Sequence, residues 1–212
     1  MNAEHAEARD QVQPFVHPGE RLIAVCSVQP APGVPTPPAH LVTLAEPPAV
    51  VRKVEGMLPG PLRRLARSRV LDPQRSRPAA VADAVDRAPD VLDDAAARML
   101  HGPGMEGGWQ STAGDYVIRR AGTRGWSGDV LAVTDRRWFA VRDASPLWRA
   151  AKEPRLYWEA PRTAVTALRA HPKGVLQKGR MDLWFADGSW VALCADVPAH
   201  AQPFTEAAAR YA

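Results

Sequence analysis

The chain is 212 residues long, 46% hydrophobic and formally +4, with a pI near 9.4, a length and apolar content that suit one large or two small domains with a real core. MNAEHAEARD at the N-terminus has no apolar h-region, and no apolar run approaches the ~20 residues that span a bilayer. Cys26 and Cys194 have no ligand-like spacing, so the composition predicts a cytoplasmic protein whose thiols stay reduced.

Residues 1–16 read as a short polar helix, with Asn2 placed to cap it and Pro14 to end it. HPGERLIAVCSV (17–28) follows as a Pro-Gly turn and a first strand. Seven prolines then fall between residues 30 and 48, a density that removes backbone donors and favours extended, unpaired chain. Residues 50–78 carry eight arginines and lysines, Arg63, Arg64 and Arg67 among them, against Glu55 and Asp72. Gly60-Pro61 can open a helix there, and Pro73 would end it. Residues 79–100 reverse the sign, with five aspartates against Arg87 and Arg98. Asp90 is a good N-cap, and Leu92, Ala95, Ala96 and Met99 recur at the spacing of a buried helical stripe. Segment 29–108 is thus expected to be an insertion, proline-rich at first, then basic, then acidic and helical. An isolated basic helix of about eleven residues is marginal in water. Residues 30–48 and parts of 52–77 are therefore expected to stay mobile without a partner, while 90–100 docks.

All seven tryptophans lie from Trp109 onward, among short alternating apolar runs. Candidate strands are 115–120, 129–134, 137–142, 155–159, 163–169, a broken 175–185, and 189–195, and DVPAHAQPFTEAAARYA closes the chain as a helix. DVLAVTDRRWFAVR (129–142) and MDLWFADGSWVALCA (181–195) each read as strand, polar turn, strand. A three-residue loop Ala186-Asp187-Gly188, with Gly188 left-handed, would set Trp184 opposite Trp190 and Leu183 opposite Val191. Met181, Leu183, Phe185, Val191 and Leu193 then point inward, and the two tryptophans pair on the outer face. A two-residue turn would instead set Phe185 opposite Trp190.

Nothing rises to a catalytic signature. GPGMEGG (102–108) holds a formal GxGxxG at Gly102, Gly104 and Gly107, but a phosphate loop needs a strand before it and a helix after it, the reverse of the order predicted here. His5, His17, His40, His101, His171 and His200 share no metal-ligand spacing, and Ser27, Ser111, Ser127 and Ser189 lack a nucleophile-elbow context. No metal, cofactor or catalysis is expected. Candidate binding residues are of two kinds. Trp184, Trp190 and Trp138 suit a protein partner. Arg63, Arg64, Arg67, Arg119, Arg120, Arg136 and Arg137 suit an anion, because guanidinium forks match phosphate geometry.

Four segments and a closing helix carry a family resemblance when taken in order. They are PGERLIAVCSV, the LAVTDRRWFAV hairpin, the stretch from Trp158 to Leu168 with its W-x-x-P…V-x-x-L spacing, and the F-x-DGS-x-V-x-L hairpin at 185–193. This set resembles the bacterial PH-like and GRAM-like domains over about 17–28 and 109–212. The resemblance implies a mainly β (α+β) fold: a seven-stranded, partly open antiparallel barrel with a C-terminal helix plugging one end, here interrupted by the insertion after its first strand. PH-like barrels bind inositol lipids, phosphopeptides or protein surfaces. The expected function is therefore a non-catalytic interaction module that binds a protein partner through the insertion and an outer tryptophan face, with self-association as a variant of it. The competing class is a binder of anionic surfaces, nucleic acid or anionic membrane lipid, through 52–77 and the loop arginines.

Overall fold

The computed structural model describes residues 3–43, 101–123, 128–145, 152–171 and 177–210. The expected basic and acidic helices, with Arg63, Arg64 and Arg67, lie outside the described residues. α1 (Ala3–Val12) runs into a 3-10 turn at Gln13–Phe15 and is followed by β1 (Leu22–Pro30). Then come β2 (Met105–Glu106), α2 (Thr112–Gly122), β3 (Asp129–Thr134), β4 (Arg137–Asp143), β5 (Pro154–Pro161), β6 (Val165–Ala170), β7 (Arg180–Phe185), β8 (Trp190–Ala195) and α3 (Ala201–Ala209).

The strands form one eight-stranded antiparallel sheet in the order β5-β4-β3-β1-β8-β7-β6, with β2 added against β8. The sheet is not closed, since β5 and β6 are its two edges. It does roll: Trp158 on β5 meets Phe185 on β7 edge-on, their ring centroids 5.9 Å apart. The rolled inner face encloses the main core, which α3 enters with Ala201, Phe204 and Ala208. β3 and β4 are buried along their whole length because both faces are covered. Leu131, Val133, Trp138 and Ala140 face the main core, whereas Val130, Ala132, Phe139 and Val141 pack under Ala8 and Val12 of α1. Between Ala140 and Val141 the pairing skips Tyr157, a bulge that turns both Tyr157 and Trp158 inward.

The 181–195 hairpin has the three-residue loop. Leu183 pairs with Val191 and Trp184 with Trp190, Phe185 N–H donates to Ser189 O at 2.9 Å, and Gly188 has φ +82°. That φ needs glycine, because a side chain there would strain the backbone. The expected inward set, Met181, Leu183, Phe185, Val191 and Leu193, lies in the main core. Cys26 and Cys194 are free thiols on paired strands but on opposite faces, one toward the main core and the other beside Trp190. Burial, with Asp196 nearby, pushes the Cys26 thiol up to about 12.

Two expectations are corrected. Residues 115–120 are helix, not strand: Ala113, Tyr116 and Val117 recur at helical spacing and enter the main core as one stripe. Ser111 caps α2 by accepting from Gly114 N–H at 3.1 Å. Asp187 in the β7–β8 loop accepts from the Thr112 N–H (2.7 Å) and hydroxyl (2.8 Å), and Ser189 Oγ accepts from Ala113 N–H at 3.2 Å. The described part of the proline-rich segment is also packed, with Ala31, Gly33, Pro35 and Pro37 buried. Prolines cannot donate, but Ala31 N–H reaches Ala192 O (3.0 Å) and Gly104 N–H reaches Gly33 O (3.1 Å), so the non-proline donors are enough to seat it against β8.

Candidate functional site

The outer face of β6, β7 and β8 carries the most distinctive surface chemistry among the described residues. Cross-strand register sets Ala167, Trp184, Trp190 and Glu106 in one row, and Arg169, Asp182 and Ala192 in the next. Trp184 and Trp190 stack at 5.7 Å between centroids and 30° between planes. The Arg169 guanidinium lies 5.2 Å above Trp184, and that of Arg180 lies 5.7 Å from Trp190. Such cation–π contacts add about 0.5–1 kcal/mol each at exposed sites. Trp190 is only 7% exposed, because β2 and the 31–34 segment cover it and its Nε1 donates to Glu106 Oε2 at 2.8 Å. Trp184 sits at the margin, half-buried, beside exposed Arg169 and Thr166. Its indole N–H is buried and has no hydrogen-bond partner among the described residues.

The predicted tryptophan trio therefore splits. Trp138 is 3% exposed and faces the core, edge-on to Phe204 at 6.4 Å, with the Arg162 guanidinium 5.6 Å from its ring. It offers no surface to a partner in this conformation.

The predicted arginines do not gather at one rim either. Arg119 is exposed on α2 and pairs with Asp115 at 2.7 Å. Arg120 pairs with buried Asp129, which Arg142 also approaches at 3.4 Å. Beside them, Tyr157 and Tyr116 share a hydrogen bond of 2.9 Å. Burial pushes both phenols up and raises the Asp129 carboxyl, against the pull of the two guanidiniums. At the other end of β3, exposed Arg136 donates to Gly19 O at 3.3 Å. Arg137 is buried and paired with Glu20 (3.1 Å) and Glu159. Arg120 and Arg137 thus have internal partners, and of the predicted arginines among the described residues, Arg119 and Arg136 face solvent. The sequence could not show this, because Glu20 and Arg137 are 117 residues apart. A carboxylate inside an apolar strand segment, as at Asp129 and Asp182, was the available hint.

The described residues line two clefts of note. One of about 180 Å³ lies beneath α1, between Glu4, Glu7, Asp196 and His200. The other, about 380 Å³, lies where β6 ends and β7 begins, beside the start of α3. No group of three or more His, Cys, Asp or Glu among the described residues is placed to hold a metal ion. No helix among them is long and apolar enough to cross a membrane. No protein-family model, no curated protein and no solved structure matches the chain.

Proposed function

We propose that this chain is a PH-like, non-catalytic interaction module, acting in the cytoplasm, that binds a protein partner through the outer face around Trp184. Support for the PH-like part comes from the topology. Seven strands lie in meander order, the first pairs with both the next and the last, and a C-terminal helix fills the core. The sequence resemblance implies a partly open antiparallel arrangement of seven strands with a C-terminal helix.

The binding surface rests on one observation. A half-exposed tryptophan is held between a stacked, covered Trp190 below and an arginine above. Tryptophan and arginine dominate interface energetics, and a pair already fixed in place loses little rotamer freedom on binding. The face also adjoins residues 31–34 and 104–106, on either side of the charged segment in sequence.

The test is capture from native lysate by the wild-type chain, by Trp184→Ala and by the triple variant Arg63/Arg64/Arg67→Ala, with thermal melts checking that each folds. A partner kept by the triple variant and lost by Trp184→Ala is the expected outcome. The reverse pattern would move the site to the basic segment. In that case binding should weaken by orders of magnitude between low and physiological salt, as phosphate-driven association does.

A further inference from the structure

We infer that the partner of the Trp184 face is a second copy of this chain, docked about a two-fold axis so that Arg169 of each copy meets Glu106 of the other. The inference names the occupant of the surface proposed above and rests on that reading. Four strands in the order β6-β7-β8-β2 carry the face, with Trp184 and Trp190 on the middle two. Arg169 stands on the strand at one flank and Glu106 on the strand at the other. Three strand spacings of ~4.8 Å set the flanks roughly 14 Å apart. The Arg169 guanidinium leans over Trp184, into the row that ends in Glu106, so the two charges lie level along the strands.

Both charges are unmatched among the described residues. Asp182 faces Arg169 across the β6–β7 pairing, but its two oxygens go to His171 Nε2 and Arg180 Nε, each at 2.8 Å. Arg169 is left with the Trp184 ring as its contact. Glu106 is exposed, and its carboxylate accepts from the Trp190 indole at 2.8 Å, a neutral donor that leaves the negative charge in place. The Arg180–Asp182 pair between the flanks adds no net charge. The face is therefore positive on one side, negative on the other and aromatic in the middle. A two-fold axis along the strands, between β7 and β8 in the plane of contact, exchanges the flanks. That one operation makes both Arg169–Glu106 pairs and sets the tryptophans of the two copies against each other. An axis across the strands would bring like charges together, so charge selects the orientation. A face this narrow belongs with transient interfaces rather than obligate ones, and the dimer is expected to form at high concentration and to exchange rapidly.

Sedimentation equilibrium of the full chain from about 10 µM to about 1 mM tests this. The weight-average mass should rise with concentration from 23.0 kDa toward twice that value. Arg169→Glu sets two like-charge contacts in each dimer and should weaken association at least tenfold. Glu106→Gln, which keeps an acceptor for Trp190, should weaken it about fivefold, as two exposed ion pairs are lost together. Arg169→Glu mixed with Glu106→Arg should form a heterodimer, because every flank again meets its opposite. Arg119→Ala on α2 should sediment as wild type. A dimer that Arg169→Glu and Glu106→Gln leave unchanged lies elsewhere on the molecule and overturns the inference, as does a mixture that fails to associate while thermal melts show both variants folded. A chain that stays monomeric throughout, yet captures a different protein from lysate through Trp184, overturns the second copy and leaves the partner-binding reading in place.

Discussion

Glu20 shows how one residue's surroundings set both its charge and its contribution to stability. Its side chain is 1% exposed, and burial alone would raise its pKa. Hydrogen bonds from Arg137 Nε (3.1 Å), Thr134 Oγ1 (2.6 Å) and His17 N–H (2.9 Å) instead bring it down to about 2, from 4.5. A carboxyl whose folded pKa lies below its unfolded value stabilises the fold above the unfolded value and loses that contribution as pH falls toward the folded one. The melting-temperature advantage of wild type over Glu20→Gln should therefore be full at pH 7, shrink from about pH 4.5 downward and be mostly lost by about pH 2. Thermal unfolding across that range checks it, and an advantage undiminished between pH 5 and pH 2 would refute the assignment. Glu20→Ala, which leaves buried Arg137 with Glu159 as its one carboxylate partner among the described residues beside the Phe15 carbonyl, should cost about 3 kcal/mol in chemical denaturation. Tyr157→Phe should cost about 1–2 kcal/mol, because it removes a buried hydroxyl bonded to Tyr116 and leaves that partner unsatisfied.

At the level of elements, α2 depends on a hairpin 75 residues away. Hydrogen bonds from Ser189 and from the Thr112 hydroxyl and N–H hold the Asp187 carboxyl well below the usual carboxylate range, against burial, which would raise it. Asp187→Ala should cost about 1 kcal/mol, the usual scale for losing a helix cap, and should speed amide exchange in the first turn of α2 while β3 and β4 stay slow. Uniform exchange changes across the sheet would mean that Asp187 braces the hairpin rather than the helix. The hairpin itself was legible in the sequence because its register follows from local turn chemistry, with Asp187-Gly188-Ser189 between two alternating runs. α2 was not, because its tyrosine, valine and isoleucine are strand-favouring types, and its helical stripe gains meaning only once a core exists to receive Tyr116. The same holds for the proline-rich segment, whose burial depends on carbonyls and donors of β8 and the 101–106 stretch. Trp184 and Trp190 were legible as an outer pair. That Trp190 is covered and Trp184 half-exposed depends on β2, two residues long and without a pattern of its own.

For the whole molecule, the question is what the fold needs from residues 44–100. The described residues already supply three mutually supporting hydrophobic clusters: the interior of the rolled sheet, the layer beneath α1, and the patch around Trp190. Residues 31–34 and 101–106 hold one another and β8 through backbone hydrogen bonds, and α2 is pinned to the hairpin at its start and to Asp129 near its end. Replacing 44–100 by a Gly/Ser linker of about 15 residues, whose root-mean-square reach is roughly 20 Å, should leave a single cooperative unfolding transition. Its midpoint should shift by only a few degrees, because the linker replaces none of these contacts. Loss of cooperativity would mean that the charged segment completes the core. The same variant also separates the two readings of function at once. Binding centred on Trp184 and Arg169 should survive the replacement, whereas binding through the arginines of 52–77 should disappear with them, in a protein whose fold is otherwise intact.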